Sequence, residues 1–210
     1  MAIFQLKDKD AFRIEDKAAA EIYYGSNQEW YPKKWQRMAG CGPSAAANIM
    51  YYLMHMHDTG LNSFLTKDDC LALMNELWYY VTPTLGGVSS TGMFSKGIDK
   101  YIKKKKLNIK IRSIDIPKNK SERPGIDQVH SFIIHAFEKE SPVAFLNLEH
   151  GTIEELESWH WVTIISLDYQ EENGSSWVQI LDGGLVKRID LLEWLRTTKL
   201  GGGFVSCEKI

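Results

Sequence analysis

The stretch that decides the fold spans residues 39–60 and reads AGCGPSAAANIMYYLMHMHDTG. It begins with small, turn-forming residues and continues through alanines and long apolar side chains, which is the pattern of a mostly buried helix. Pro43 is compatible with a first helical turn, where its missing N–H would have no partner in any case. The pattern therefore predicts a helix that extends to Gly60, with Cys41 at its start.

Three further helices are predicted in the first two thirds of the chain. The hydroxyl of Thr66 can cap a second helix, and Asp69 completes a capping-box pattern. A third helix is predicted over residues 93–105. A fourth is predicted over residues 126–140, where apolar side chains recur at helical spacing. The first two thirds of the chain are therefore expected to be rich in helix.

The last third of the chain contains short runs of β-branched and aromatic residues, separated by Gly, Asn, Ser and Asp. Such runs are typical of strands. The predicted strands are residues 107–114, 142–148, 159–167, 177–181 and 204–207. We expect an α+β fold in one domain over residues 1–210, with a helical N-terminal part packed against a C-terminal antiparallel sheet and a cleft between them.

Composition narrows the class of protein. The chain has 210 residues, of which 44% are hydrophobic, and a net charge of -2. This charge gives no reason to expect a nucleic-acid or anionic-membrane partner. Neither a secretion signal nor a run of about 18 uncharged apolar residues is visible, so we expect a cytoplasmic protein. Three scattered cysteines do not suit a disulfide framework and are expected to be reduced.

Cys41 is the candidate nucleophile. The pKa of a thiol falls at a helix N-terminus next to an imidazolium, because both stabilise the thiolate. Gly40 and Gly42 leave room for a carbonyl to approach the sulfur, and free N–H groups in the first helical turn can bind an oxyanion. The alternative is a structural cysteine buried in a tight junction between a loop and a helix.

His160 and Asp182 are the candidate base and its orienting carboxylate. His160 opens one predicted strand and Asp182 closes the next, so an antiparallel hairpin would bring them side by side. A carboxylate beside an imidazole fixes its tautomer and favours the cation. The alternatives are an ordinary turn aspartate and a solvated histidine at a strand end. Gln36, five residues before Cys41, is the candidate oxyanion donor, with Gln28 or backbone N–H groups as alternatives.

These residues carry a resemblance to a known family. The motifs from Gln36 to Cys41-Gly-Pro, His160-Trp-Val and Leu-Asp182-Gly resemble those of papain-like cysteine peptidases, over roughly residues 30–185. The closest pattern is the branch related to the peptidases that remove double-glycine leaders from bacteriocins. The resemblance implies a papain-like fold in which Cys41 is the nucleophile, His160 the base, Asp182 its orienter and Gln36 the oxyanion donor.

Three functions follow from these residues. The first is a cysteine peptidase or amidohydrolase that acts on a peptide or amide through a thioacyl enzyme and needs no cofactor. The second is an acyltransferase with the same triad, and the third is a noncatalytic binding module. No metal is expected, because His55 and His57 are two apart on a predicted helix and so point to different sides.

Overall fold

The computed structural model describes residues 2–55, 65–170 and 175–210. Within these ranges the chain forms six α-helices, three short 3-10 helices and ten strands. The α-helices are α1 (Lys34–Ala39), α2 (Cys41–His55), α3 (Lys67–Trp78), α4 (Thr91–Lys105), α5 (Ile126–Glu138) and α6 (Leu191–Thr197). The strands are β1 (Ala2–Gln5), β2 (Arg13–Asp16), β3 (Glu21–Tyr24), β4 (Leu65–Thr66), β5 (Ile109–Ile116), β6 (Val143–Asn147), β7 (His160–Gln170), β8 (Ser175–Asp182), β9 (Leu185–Asp190) and β10 (Gly202–Lys209).

The main sheet is antiparallel, with the strand order β5-β10-β6-β7-β8-β9. The long strand β7 pairs with β6 along its first half and with β1 along its second half, so the N-terminal strand extends the sheet beyond Val143, the first residue of β6. A small second sheet has the order β3-β2-β4, in which β2 and β4 are parallel. β7 and β8 are interior strands of the main sheet, so β6 pairs with the start of β7 and β9 pairs with the end of β8.

Helices cover both faces of the main sheet. Successive residues of a strand point to opposite faces, and β6 shows the consequence: Ala144 and Leu146 pack in the buried cluster with α2, α3 and α4. Phe145 points the other way, into the cluster with α5 and α6, where its ring meets Trp194 edge to face at 4.6 Å. β6 is buried on both faces for this reason, and a strand of this kind reads as a continuous apolar run rather than an alternating one.

The structure confirms a mixture of helices and antiparallel sheet. The side chain of Thr66 accepts a hydrogen bond from the N–H of Asp69 at 3.2 Å, so the predicted cap of α3 is present. One expectation needs correction, because the N-terminal part is not only helical: β1, β2 and β3 precede the first α-helix. The helix predicted over residues 39–60 is described as far as His55, and residues 56–60, including His57, lie outside the described residues. No helix in the described ranges is long and apolar enough to cross a membrane.

Candidate active site

Cys41 is the first residue of α2, directly after a tight junction with α1. Gly40 forms this junction, and a Cβ atom there would lie only 2.5 Å from the ring of Tyr31. Tyr31 is itself fixed, because it is buried and its hydroxyl donates to the carbonyl of Met74 at 3.0 Å. The N–H of Ser44 donates to the carbonyl of Gly40 at 2.9 Å and closes the first turn. The close packing at Gly40 therefore sets the position from which α2 presents Cys41.

A second glycine allows the loop before α4 to pack against the start of α2. A Cβ atom at Gly42 would lie 2.8 Å from Val88. Val88 is held by Trp161, whose indole Nε1 donates to its carbonyl at 2.6 Å. The Trp161 ring in turn stacks on Phe94, with 4.4 Å between ring centroids. The residue after the candidate histidine thus anchors one wall of the site.

His160 and Asp182 lie side by side. β7 and β8 are antiparallel neighbours, so the start of one lies next to the end of the other, as the sequence predicts. His160 Nε2 is 2.7 Å from Asp182 Oδ1, and both side chains are buried. Because Nε2 is engaged by the carboxylate, Nδ1 is the ring nitrogen available to the thiol of Cys41, which lines the same cleft.

Lys187 holds the other oxygen of Asp182. Gly183 and Gly184 form a two-residue turn with φ values of 61° and 81°, the left-handed backbone that glycine adopts without strain. The turn brings β9 straight back along β8, with Asp182 opposite Leu185. Lys187 then lies diagonally across from Asp182 on the same face. Its Nζ is 2.6 Å from Asp182 Oδ2, so the carboxylate is fixed from both sides.

The electrostatics of the pair favour an imidazolium. Burial alone lowers the pKa of His160, but its hydrogen bonds with Asp182 and Cys41, and the charges of these two groups, raise the pKa to about 10. Burial also opposes ionisation of Asp182, but hydrogen bonds with His160 and Lys187 hold the pKa of the carboxyl below its usual value. The imidazolium is therefore present through neutral pH, and it is lost only as the pH rises towards 10.

A cleft of about 150 Å³ joins these groups, and Cys41, His160 and Asp182 all line it. The chain segment 26–29 also lines the cleft, and Asn48 of α2 holds its first residue in place. Asn48 Oδ1 accepts from the N–H of Ser26 at 2.8 Å, and its Nδ2 donates to Thr163 Oγ1 on β7 at 3.0 Å. One buried amide thus connects the segment, the helix and the sheet around the cleft.

The structure separates the two glutamines. Gln28 lines the cleft, and its buried Oε1 has no hydrogen-bond partner among the described residues. Gln36 does not line the cleft; it lies on α1, where its Nε2 is 3.4 Å from Asn75 Oδ1 on α3. Its Oε1 is also buried without a hydrogen-bond partner among the described residues, so only position relative to the cleft distinguishes the two glutamines. The structure therefore brings Cys41, His160 and Asp182 together and leaves Gln36 outside the group.

Lys187 was not predicted from the sequence, although a signal exists. A Gly-Gly pair between two strands is typical of a two-residue hairpin, and such a turn places Lys187 diagonally opposite Asp182. The position of Gln28 has no comparable local signal, because it depends on a long-range contact: Asn27 Nδ2 donates to the carbonyl of Gly183 at 2.9 Å. In the described ranges, no three His, Cys, Asp or Glu side chains are grouped so that they could hold a metal ion.

Comparisons with known proteins bear on the fold alone. No model of a protein family matches the sequence, and no curated protein matches it. Among solved structures, the fold is similar to that of UfSP from C. elegans, with a TM-score of 0.50 and 10% sequence identity. The match covers 98% of this chain and 33% of that chain, so this chain spans about a third of the length of its structural neighbour.

Proposed function

We propose that this protein is a cysteine hydrolase of papain-like fold that cleaves a peptide or amide bond through a thioacyl enzyme. The observation that carries the proposal is the convergence of three side chains in one cleft: Cys41 at a helix start, and His160 hydrogen-bonded to Asp182 at 2.7 Å. We extend the proposal to one papain-like domain over residues 1–210. The assignment to the branch related to double-glycine leader peptidases rests on the sequence motifs alone.

In this mechanism the Cys41 thiolate attacks the carbonyl carbon of the substrate, and the carbon–nitrogen bond then breaks. The His160 imidazolium gives its proton to the departing amine, which leaves a thioester on Cys41. Neutral His160 then takes a proton from water as the water attacks the thioester; the carbon–sulfur bond breaks, the acid is released, and the Cys41 thiolate and the His160 imidazolium are restored. Asp182 holds the ring so that the same nitrogen faces the thiol throughout. These steps need no cofactor.

The oxyanion donor in this proposal is the Gln28 amide rather than Gln36. Negative charge develops on the carbonyl oxygen in the transition state, and a donor must face that oxygen from within the cleft. Gln28 lines the cleft, whereas Gln36 does not, and the Nε2 of Gln36 already donates to Asn75 Oδ1 at 3.4 Å. Backbone N–H groups at the start of α2 would supply a second donor.

Trapping the acyl enzyme tests the proposed chemistry. With p-nitrophenyl acetate, Cys41 is expected to displace p-nitrophenolate and to carry one acetyl group, visible in the intact mass and mapped by peptide digestion. The Cys41→Ala protein should fold normally and take up no acetyl group. Faster deacylation on addition of a simple amine, with the acetyl group recovered on the amine, would favour the acyltransferase. A folded protein in which Cys41 is never acylated would support the binding module instead.

The two glutamines are distinguished by paired substitutions. Gln28→Ala is expected to slow acetylation of Cys41 by p-nitrophenyl acetate about a hundredfold, the usual effect of deleting one positioned donor. Gln36→Ala is the matched control and should change this rate less than about twofold, because its amide lies outside the cleft. Neither change should affect alkylation by iodoacetamide, which creates no oxyanion. If Gln36→Ala slows acetylation far more than Gln28→Ala does, Gln36 is the oxyanion donor instead.

A further inference from the structure

Four of the charged groups in the cleft form two pairs. The Cys41 thiolate and the His160 imidazolium neutralise each other when the site is ready to react. Asp182 and Lys187 do the same, with 2.6 Å between Oδ2 and Nζ. In the proposed state these four residues therefore carry no net charge, although all of them line the cleft.

Two further carboxylates line the same cleft, those of Glu29 and Glu157. Glu157 forms no ion pair with another described residue. Glu29 has one distant cation, Arg37 Nε at 4.0 Å, and its own side chain is 66% exposed. The guanidinium of Arg37 is bound more closely by the carbonyl of Tyr31, 2.7 Å from Nη1. The cleft is left with two negative charges that nothing in the described chain fully neutralises.

Glu157 lies in the loop before β7, and the side chain of Asn147 holds its backbone in place. The carbonyl of Glu157 accepts from Asn147 Nδ2 at 2.7 Å, and Asn147 lies opposite His160 in the sheet. Asn147 is fully buried, and its Oδ1 accepts from the indole of Trp194 at 2.8 Å. The neighbouring Leu156 is also buried in the core. The backbone of Glu157 is therefore anchored beside the catalytic histidine while its side chain is exposed.

An exposed aromatic ring lies in the same loop. Trp159, directly before His160, is 57% exposed and has a φ of 59°. A bulky residue rarely adopts this left-handed conformation, so the surrounding structure must hold it there. Among aromatic side chains, tryptophan has the face that attracts cations such as lysine and arginine side chains most strongly. Trp159 does not line the cleft itself; its exposed indole lies two residues along the chain from Glu157, which does.

We propose that the cleft selects substrates with a cationic side chain, lysine or arginine, on the residue that supplies the scissile carbonyl. Glu29 and Glu157 would attract the cation, and Trp159 would offer it an aromatic face. The buried Oε1 of Gln28, which has no partner among the described residues, adds an acceptor for a substrate N–H group. This selectivity rests on the proposed function, since it needs an acyl group bound beside Cys41. It is an alternative to the glycine that a double-glycine leader peptidase accepts at the same position.

Matched chloromethyl ketones test the selectivity without a known substrate. The Cys41 thiolate displaces chloride from such a reagent and forms a thioether, so the rate reports how well the side chain is accepted. The three reagents are the N-acetyl-lysyl, N-acetyl-norleucyl and N-acetyl-glutamyl ketones, and each rate is divided by that with a free small thiol. We expect the lysyl reagent to react about tenfold faster than the norleucyl one, and the glutamyl reagent to be slower still.

Substitutions assign the preference to these residues. In the Glu29→Gln, Glu157→Gln double variant the lysyl and norleucyl rates should agree within about twofold, because the attracting charge is gone. Trp159→Leu should reduce the lysyl preference by about threefold. Glu138→Gln is the control, since Glu138 is exposed at the end of α5 and does not line the cleft. It should keep the full preference.

The outcomes separate this proposal from the proposed function. If Cys41 reacts rapidly with all three reagents and lysine has no advantage, only the charge selectivity is overturned. A lysine preference that survives the double variant also overturns it, because the cation would then be held elsewhere. If no reagent modifies Cys41 faster than the buried Cys70, the proposed function fails and the selectivity fails with it.

Discussion

Cys41 in the folded protein is expected to be alkylated by iodoacetamide at least about a thousandfold faster than Cys70 or Cys207 at neutral pH. The thiolate is the reacting species. Burial raises the pKa of Cys70 to about 12 and that of Cys207 to about 12, so on the order of one molecule in 10⁵ carries either thiolate at pH 7. Cys41 lines a cleft at a helix start beside His160, so it has both access and a stabilising partner.

The rates are measured by quenching at intervals and quantifying each cysteine peptide by mass spectrometry. Protein unfolded in urea is the control, because all three cysteines should then react at similar rates. If the three rates are also similar in the folded protein, Cys41 has no special environment and the nucleophile assignment is wrong.

His160→Ala is expected to slow acetylation of Cys41 by p-nitrophenyl acetate about a thousandfold or more, because the site loses the cation that stabilises the attacking thiolate. Asp182→Asn should have a smaller effect, about tenfold, since the thiol and imidazole remain and only the orientation of the ring and the stability of its cation are disturbed. The acetylation rate of each variant is measured from the burst of p-nitrophenolate, which is followed by stopped-flow absorbance.

Far-ultraviolet circular dichroism of each variant provides the control for folding. The matched substitution is His130→Ala, which removes another buried histidine, one that does not line the cleft and whose Nε2 is 2.7 Å from Ser176 Oγ. Its acetylation rate should remain close to that of the original protein. Equal losses in the two histidine variants would mean that the effect comes from destabilisation rather than from the triad.

The sequence predicted the parts of the site that depend on local patterns. Small residues before an apolar helix indicated the start of α2 and hence the position of Cys41. Two apolar runs separated by polar residues indicated β7 and β8, and their antiparallel pairing follows from the direction of the chain. The relation between His160 and Asp182 could therefore be inferred without knowledge of the rest of the fold.

Contacts between distant segments could not be inferred in this way. β1 has only four residues, alternately half-buried and exposed, and its strand character depends on pairing with the far half of β7. Gln28 reaches the cleft because the turn that contains it is tied to Asn48 and to Gly183. Gln36 is closer to Cys41 in sequence, but α1 directs its side chain towards α3. Proximity in sequence was a poor guide to which glutamine faces the cleft.

The pH dependence of Cys41 alkylation, compared between the original protein and His160→Ala, tests the central claim most directly. The pKa of His160 is raised to about 10, so the imidazolium is present at pH 6 and disappears as the pH rises towards 10. We predict that Cys41 in the original protein stays reactive at pH 6, whereas in His160→Ala its rate at pH 6 is about a hundredfold lower and recovers at alkaline pH, as for an ordinary thiol. Coincident profiles for the two proteins would contradict the account, because Cys41 would then react without help from His160.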